Sequence, residues 1–184
     1  MTGNERDAAR TRARILAIAQ QLFAEHGYAG TSIADIAREL GTSKAALYYH
    51  FASKEEILGA LVAEPVAGYA DLAARVEKEP VPAEEILDAL IRMTAEAQLL
   101  DTLLGNDPSI TSVLRRVYNI QDYTEKIIAG LAGPKPNQAA MVRARAAFAV
   151  AKQATFLVIM TNGGALTRTA RTELLGAALR CLGR

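Results

Sequence analysis

The sequence predicts an all-α protein, and two observations favour this fold class. The 184 residues are 51% hydrophobic but only 5% aromatic, with no Trp. This composition suits Ala- and Leu-rich helices better than sheets of β-branched and aromatic residues. Apolar residues also recur at helical spacing between start and stop signals, and no stretch shows the alternation of a half-buried strand. We expect an N-terminal three-helix domain followed by a helical C-terminal domain.

The first predicted helix covers residues 8–26 and ends at Gly27. Three arginines, Arg10, Arg12 and Arg14, form a basic arm at its start. The arm either reaches a phosphate or minor groove of a nucleic acid, or is a frayed, solvated tail. The apolar face of the helix consists of Ile15, Leu16, Ala19, Leu22 and Phe23.

A second, short helix is predicted to begin after Ser32. The Ser32 hydroxyl can accept from an early backbone N–H, and Asp35 lies at the positive end of the helix. Gly41 can adopt the left-handed conformation that ends it. The side facing the core carries Ile33, Ile36, Ala37 and Leu40.

A third helix is predicted from about Lys44 to His50, with either Thr42 or Ser43 as its cap. It presents Leu47 and, just beyond its end, Phe51 to the same core. Two short helices joined by a three- or four-residue turn with Gly are typical of a helix-turn-helix, whose second helix lies in a DNA major groove.

The side chains around this turn suit contact with DNA. Lysine can neutralise a phosphate or donate to guanine, small residues let a helix approach the bases, and Tyr and His can donate to phosphate oxygens. Lys54 lies at the start of the next helix, where its charge and the free N–H groups can both face a phosphate. The predicted DNA-binding residues are Ser32, Thr42, Ser43, Lys44, Ala45, Ala46, Tyr48, Tyr49, His50 and Lys54.

The pattern S-x-x-D-I-A-x-x-L-G-x-S-K-x-x-L-Y-Y-H-F-x-S-K-E, from Ser32 to Glu55, resembles the DNA-binding domain of the TetR family of bacterial transcriptional regulators. The resemblance covers roughly residues 10–62. One departure is Ala45-Ala46, where family members often carry Gly and Thr or another polar residue. This departure leaves fewer polar groups for direct base readout.

A capping box at Ser53 and Glu56 starts the fourth helix, which is expected to end or bend at Pro65. This proline sets the predicted boundary between a DNA-binding domain (residues 1–62) and a ligand-binding and dimerisation domain (residues 63–184). Gly105-Asn106-Asp107-Pro108 is a clear break, with Asp107 as N-cap and Pro108 at the first helical position. Helices of the second domain are predicted over residues 66–78, 83–104, 108–131, 137–162 and 169–182.

The last two helices carry apolar residues at steps of three and four, which is the spacing of a helix-packing seam. The resemblance implies that these helices pair with their copies in a homodimer, and a two-fold palindromic operator in double-stranded DNA requires a dimer. The alternative is that both stripes belong to the core of a monomer. The stripes are Met141, Ala144, Phe148, Ala151, Thr155 and Val158, and then Leu175, Leu179 and Leu182.

The resemblance also implies a small-molecule effector that binds inside the C-terminal domain and releases a repressor from its operator. Such a ligand would be largely apolar with a few hydrogen bonds. For each candidate contact, the favoured explanation is core filler or a satisfied surface polar group. The candidates are the polar or polarisable residues Met93, Gln98, Tyr118, Tyr123, Gln153, Phe156 and Met160.

Catalysis is disfavoured, because the sequence shows no metal-ligand spacing, nucleophile elbow or phosphate loop, and both histidines lie in the N-terminal region. We expect no cofactor and no metal. The lack of an export signal, apolar runs far shorter than a membrane span and the single Cys181 favour a cytoplasmic protein. The near-neutral charge and Ala45-Ala46 leave one alternative function, a helical interaction or ligand-binding module that has lost specific DNA binding.

Overall fold

The computed structural model describes residues 3–97 and 108–183, and every regular element in these ranges is a helix. The predicted all-α fold with an N-terminal helix-turn-helix is therefore confirmed. The helices in chain order are α1 Gly3–Gly30, α2 Ile33–Leu40, α3 Lys44–His50, α4 Lys54–Lys78, α5 Ala83–Glu96, α6 Pro108–Tyr118, α7 Ile120–Ala132, α8 Gln138–Ala149, a π-helical turn Val150–Ala154, α9 Thr155–Thr161 and α10 Arg168–Cys181.

The described residues form two compact units. The first contains residues up to Glu64 together with α6 up to Val117, and the second contains the rest. The sequence places residues 108–117 in the second domain, whereas the structure groups them with the first. Ile110 on α6 is fully buried. The fully buried large side chains of residues 3–64 are Ile15, Ile36, Leu47, Phe51, Ile57 and Leu58.

Helix α1 is longer than predicted at both ends. Its helical geometry breaks at Gly27, whose φ of 74° and ψ of 159° are accessible to glycine at little cost. The predicted stop is therefore a kink, and hydrogen-bonded turns continue to Gly30. At the other end the helix begins at Gly3, so the three arginines belong to it and not to an extended arm.

The prediction that the fourth helix ends at Pro65 is wrong, because α4 continues from Lys54 to Lys78 with Pro65 inside it. A proline in a helix removes one backbone hydrogen bond and costs about 3 kcal/mol or more. Apolar side chains are buried before the proline at Val62 and after it at Tyr69 and Leu72. We attribute the continuity of the helix to this burial, since each such side chain contributes roughly 1.5–3 kcal/mol.

The prediction of a single helix over residues 108–131 is also wrong, because this segment forms two helices, α6 and α7, that are separated at Asn119. This residue has a φ of 51° and a ψ of 32°, a left-handed conformation that asparagine tolerates better than most residues. Pro108 begins α6 as predicted. The predicted continuation of α5 over 98–104 and the break at Gly105, Asn106 and Asp107 lie outside the described residues.

Helix α5 forms the centre of the second unit. One face of this helix is buried at each position, at Ile86, Leu87, Leu90, Ile91 and Thr94. The π-helical turn interrupts the long helix predicted over 137–162, and that helix packs against α5 through small residues. The core around α5 includes Ala144, Ala147, Ala151, Leu174 and Ala178.

Two helical stretches, Lys54–Lys78 and Gln138–Thr161, are long and apolar enough to cross a membrane on length and composition. Core helices of soluble proteins meet the same criterion, so this observation is weak evidence for a membrane span.

Candidate nucleic-acid interface

Helix α2 is fixed at its start by a complete capping box. The Ser32 hydroxyl accepts from the Asp35 N–H at 3.2 Å, and the Asp35 carboxylate accepts from the Ser32 N–H at 3.0 Å. Hydrogen bonds from the Ser32 hydroxyl and N–H, followed by one from Arg38, lower the pKa of Asp35 to about 2. The helix ends at Gly41, which has a φ of 73°. Ser32 therefore caps α2, and its contact with DNA stays a prediction.

The capping box makes the stability of this domain depend on pH. Because the folded-state pKa of Asp35 is lowered, its ionised form stabilises the fold above the unfolded value of about 3.9, and this contribution is lost as the pH falls towards 2. We expect Asp35→Asn to lower the melting temperature at pH 7, and the difference from wild type to shrink towards pH 2. Thermal melts across this range test it, with Glu39→Gln on the same helix as control. An equal difference at both pH values would contradict the prediction.

Helix α3 exposes one face and buries the other. Ser43, and not Thr42, is its N-cap, with its hydroxyl accepting from the Ala46 N–H at 3.1 Å. Leu47 is fully buried and Phe51 is 1% exposed, which anchors the helix to the core of its unit. Thr42 and His50 are half-buried. The predicted DNA-binding residues that are exposed on α3 and at its cap are Ser43, Lys44, Ala45, Ala46, Tyr48 and Tyr49, and Ser32 at the start of α2 is exposed as well.

The exposed tyrosines give this face both apolar surface and hydrogen-bonding hydroxyls. Tyr48 is 51% exposed and Tyr49 is 83% exposed. The Tyr49 ring meets the His50 ring edge to face, with 5.3 Å between the centroids. Lys44 has no ion pair or hydrogen bond to any residue in the described ranges, so its charge is available to an anion.

Lys54 is engaged within its own domain. Its ammonium donates to the carbonyls of Tyr28 at 2.7 Å and Thr31 at 2.9 Å, and lies 4.2 Å from the centroid of the Tyr28 ring. Burial, and then the neighbouring Glu55, raise the pKa of Tyr28 to about 12. Lys54 therefore ties the end of α1 to the start of α4, and its role towards a phosphate stays a prediction.

Arg12 is a residue that the sequence-based site does not include. Its guanidinium donates to the His50 carbonyl at 2.7 Å and lies 3.9 Å from the centroid of the Phe51 ring. The available signal is its position, three residues before the buried Ile15 and therefore on the side of α1 that faces the core.

The described candidates for ligand contact all belong to the second unit. Met93, Tyr118, Tyr123 and Phe156 are half-buried, while Gln153 and Met160 are exposed. Gln98 lies outside the described residues. A cavity of about 660 Å³ is lined by other residues, from the end of α4, the Pro80–Pro82 loop and α7. These ligand contacts therefore stay predictions.

The second unit contains two buried hydroxyl groups that are not among the predicted ligand contacts. The hydroxyls of Thr94 and Thr155 are buried and have no hydrogen-bond partner among the described residues. Within residues 3–97 and 108–183, no group of His, Cys, Asp or Glu side chains is placed to hold a metal ion.

Residues 15–61 match the family model for bacterial regulatory proteins of the tetR family. The repressor AcnR of Corynebacterium diphtheriae is 38% identical over 63 residues, which are 34% of this chain and 33% of that protein. The regulator TtgR of Pseudomonas putida is 41% identical over 56 residues, 30% of this chain and 27% of that protein. The chain thus matches about a third or less of the length of these curated relatives.

A solved structure resembles a larger part of the chain. Mycobacterium smegmatis AmtR superposes with a TM-score of 0.58 at 27% sequence identity, covering 94% of this chain and 86% of that one. The family model thus matches residues 15–61, whereas the similarity in fold covers 94% of the chain.

Proposed function

We propose that this chain, which belongs to the TetR family of transcriptional regulators, represses transcription by placing α3 in the major groove of its operator. Regulators of this family are not enzymes. The observation that carries the proposal is the geometry of α3. Ser43 caps it, Leu47 and Phe51 anchor it, and the face from Lys44 to Tyr49 is left exposed.

Lys44 and Tyr48 give the first test of this proposal. Lys44→Ala is expected to weaken operator binding and to reduce the slope of log K against log salt by about 1.8 in the proposed dimer, because each of its two subunits loses one phosphate contact at about 0.9 per contact on B-DNA. Tyr48→Phe removes one donor from each subunit and should weaken binding about tenfold or more, since a hydrogen bond to a charged group contributes roughly 1.5–3 kcal/mol. Fluorescence anisotropy at several salt concentrations measures both effects.

Lys78→Ala, at the end of α4, removes the same charge outside the proposed interface and is the matched control. It should bind as wild type does. If both α3 variants bound DNA with wild-type affinity and salt slope, α3 would not be the recognition helix.

We further propose that two copies of the chain form a homodimer through residues 137–162 and 169–182. This dimer binds a palindromic operator in double-stranded DNA. The predicted seam residues Ala144, Ala151 and Thr155 are buried within the chain's own core. The opposite face, however, exposes large apolar side chains: Val142 is 61% exposed, Leu157 54% and Met160 50%. Exposed residues of this face lie at steps of three and four: Val142, Ala146, Ala149, Gln153, Leu157 and Met160.

The proposed effector is a small, largely apolar molecule bound within the second unit. Thr94 and Thr155 support this assignment, because buried hydroxyls without partners can supply the few hydrogen bonds of such a site. Release from DNA by a hundredfold requires the effector to prefer the non-binding state by about 2.7 kcal/mol. We expect the protein to act in the cytoplasm without a bound cofactor.

One observation favours a second candidate function, a helical interaction or ligand-binding module without specific DNA binding. Ala45 and Ala46 occupy exposed positions on α3 and have no polar group for reading bases. Retention on a DNA or heparin column at physiological salt separates the two candidates, because only a DNA-binding protein should be retained there.

A further inference from the structure

We infer that Arg12 is a positioning residue that sets the recognition helix for DNA binding from inside the domain and does not contact a phosphate. This inference rests on the proposed function of α3. The guanidinium of Arg12 reaches three groups around the end of α3: the His50 carbonyl, the Phe51 ring and the Glu56 carboxylate.

The first contact closes the C-terminal end of α3. The last carbonyls of a helix have no partners within it, and a cation beside them is favoured by the helix dipole. Arg12 supplies both a donor and a charge there, at 2.7 Å from the His50 carbonyl. Helix α3 has only seven residues, a length at which isolated helices are not stable, so its direction depends on such external contacts.

The second contact fixes where the chain leaves α3. Phe51 follows the helix with an extended backbone, at a φ of −143° and a ψ of 121°, and its ring is buried below the guanidinium. A cation over an aromatic face is favourable, and Arg12 therefore holds the helix end and its anchor together.

The third contact links this arrangement to the start of α4. A nitrogen of Arg12 lies 3.8 Å from Glu56, and the other oxygen of Glu56 accepts from the Ala52 N–H at 2.7 Å. Arg12 thus joins α1, the end of α3 and the turn before α4.

The neighbouring arginines show that this arrangement is specific to Arg12. Arg10 and Arg14 are exposed and have no ion pair or hydrogen bond within the described part of the chain. Both flank Arg12 on α1, which makes Arg14 a matched control of the same charge on the same helix.

The variant Arg12→Met keeps an aliphatic stem over Phe51 but removes the donors and the charge. At a temperature where circular dichroism shows it fully folded, we expect it to bind a specific operator roughly tenfold more weakly, because ordering the end of α3 then offsets part of the binding free energy. The slope of log K against log salt should stay at the wild-type value, because no phosphate contact is lost. Arg12→Lys should recover part of the affinity, and Lys78→Ala, outside the proposed interface at the end of α4, should bind as wild type does.

A fall in the salt slope of about 1.8 for Arg12→Met, or about 0.9 for each subunit of the proposed dimer, would assign Arg12 to a phosphate and overturn the inference. So would wild-type affinity of this variant.

Amide hydrogen exchange tests the inference without DNA. Arg12→Met should speed exchange at Leu47 to Phe51 relative to the amides of α2, whereas Arg14→Met should not. Unchanged protection at the end of α3 would overturn the inference. Failure of the wild-type protein to bind any specific DNA would contradict the proposed function, and the exchange result would still decide how α3 is held.

Discussion

Replacing Ala45 with glutamate is expected to abolish specific DNA binding while leaving the fold intact. Ala45 is exposed in the first turn of α3, where an acidic side chain is compatible with the helix dipole, so the variant should melt close to wild type. In the proposed complex the new carboxylate would face phosphates and base edges. Like-charge contacts of this kind cost several kcal/mol, and we expect the affinity to fall by about a hundredfold or more.

Anisotropy titrations of wild type and Ala45→Glu against one operator measure this effect. Ala63→Glu adds the same charge at an exposed position of α4, nine residues beyond its start, and serves as control. A general effect of net charge would weaken both variants to the same extent. If Ala45→Glu bound the operator with wild-type affinity, the DNA would have to lie on another surface of the domain.

Replacing Leu157 with glutamate is expected to convert the proposed dimer into a monomer. Leu157 is 54% exposed on the apolar face of α8 and α9, so its replacement should not disturb the core of its own chain. In a two-fold dimer each substitution occurs twice in one interface. An unpaired carboxylate buried against apolar groups costs several kcal/mol, and two copies should shift the dimer by more than a thousandfold, at about 1.4 kcal/mol per factor of ten.

Sedimentation equilibrium at micromolar concentration measures this change directly. Gln121→Glu on the exposed side of α7 adds the same charge outside the apolar face and should remain dimeric. A dimeric Leu157→Glu variant would exclude this face as the interface. A monomeric wild-type protein would contradict the dimer itself.

The helix starts and stops that depend on neighbouring residues could be predicted from the sequence. Ser32, Gly41 and Ser43 act through backbone groups within a few positions of themselves, and the structure confirms each one. The candidate DNA-binding face follows from the same local pattern, because burial of Leu47 and Phe51 determines which side of α3 stays exposed.

Features that depend on distant parts of the chain could not be predicted in this way. Pro65 resembles a helix end, yet burial on both sides keeps α4 continuous. Asn119 gives no strong stop signal, yet its left-handed backbone divides a helix that the apolar pattern predicts to be single. Arg12 and Lys54 resemble solvated or phosphate-binding cations, and only the tertiary structure shows that they bind backbone carbonyls.

The candidate dimer face could not be identified from the sequence for a different reason. A helix that packs on two sides carries two apolar stripes, and the spacing of one does not indicate which partner it faces. The residues chosen from the sequence, such as Ala144 and Ala151, pack inside the chain, and the exposed stripe from Val142 to Met160 becomes evident only once burial is known.

The most direct test of the account is the selection of genomic DNA fragments by the purified protein at physiological salt with excess competitor DNA. Specific sites should exceed nonspecific binding by about 10³ or more. We expect enrichment of a few palindromic sites by the wild-type protein and none by Ala45→Glu. No enrichment by wild-type protein that is folded and dimeric would contradict the account and favour an interaction or ligand-binding module.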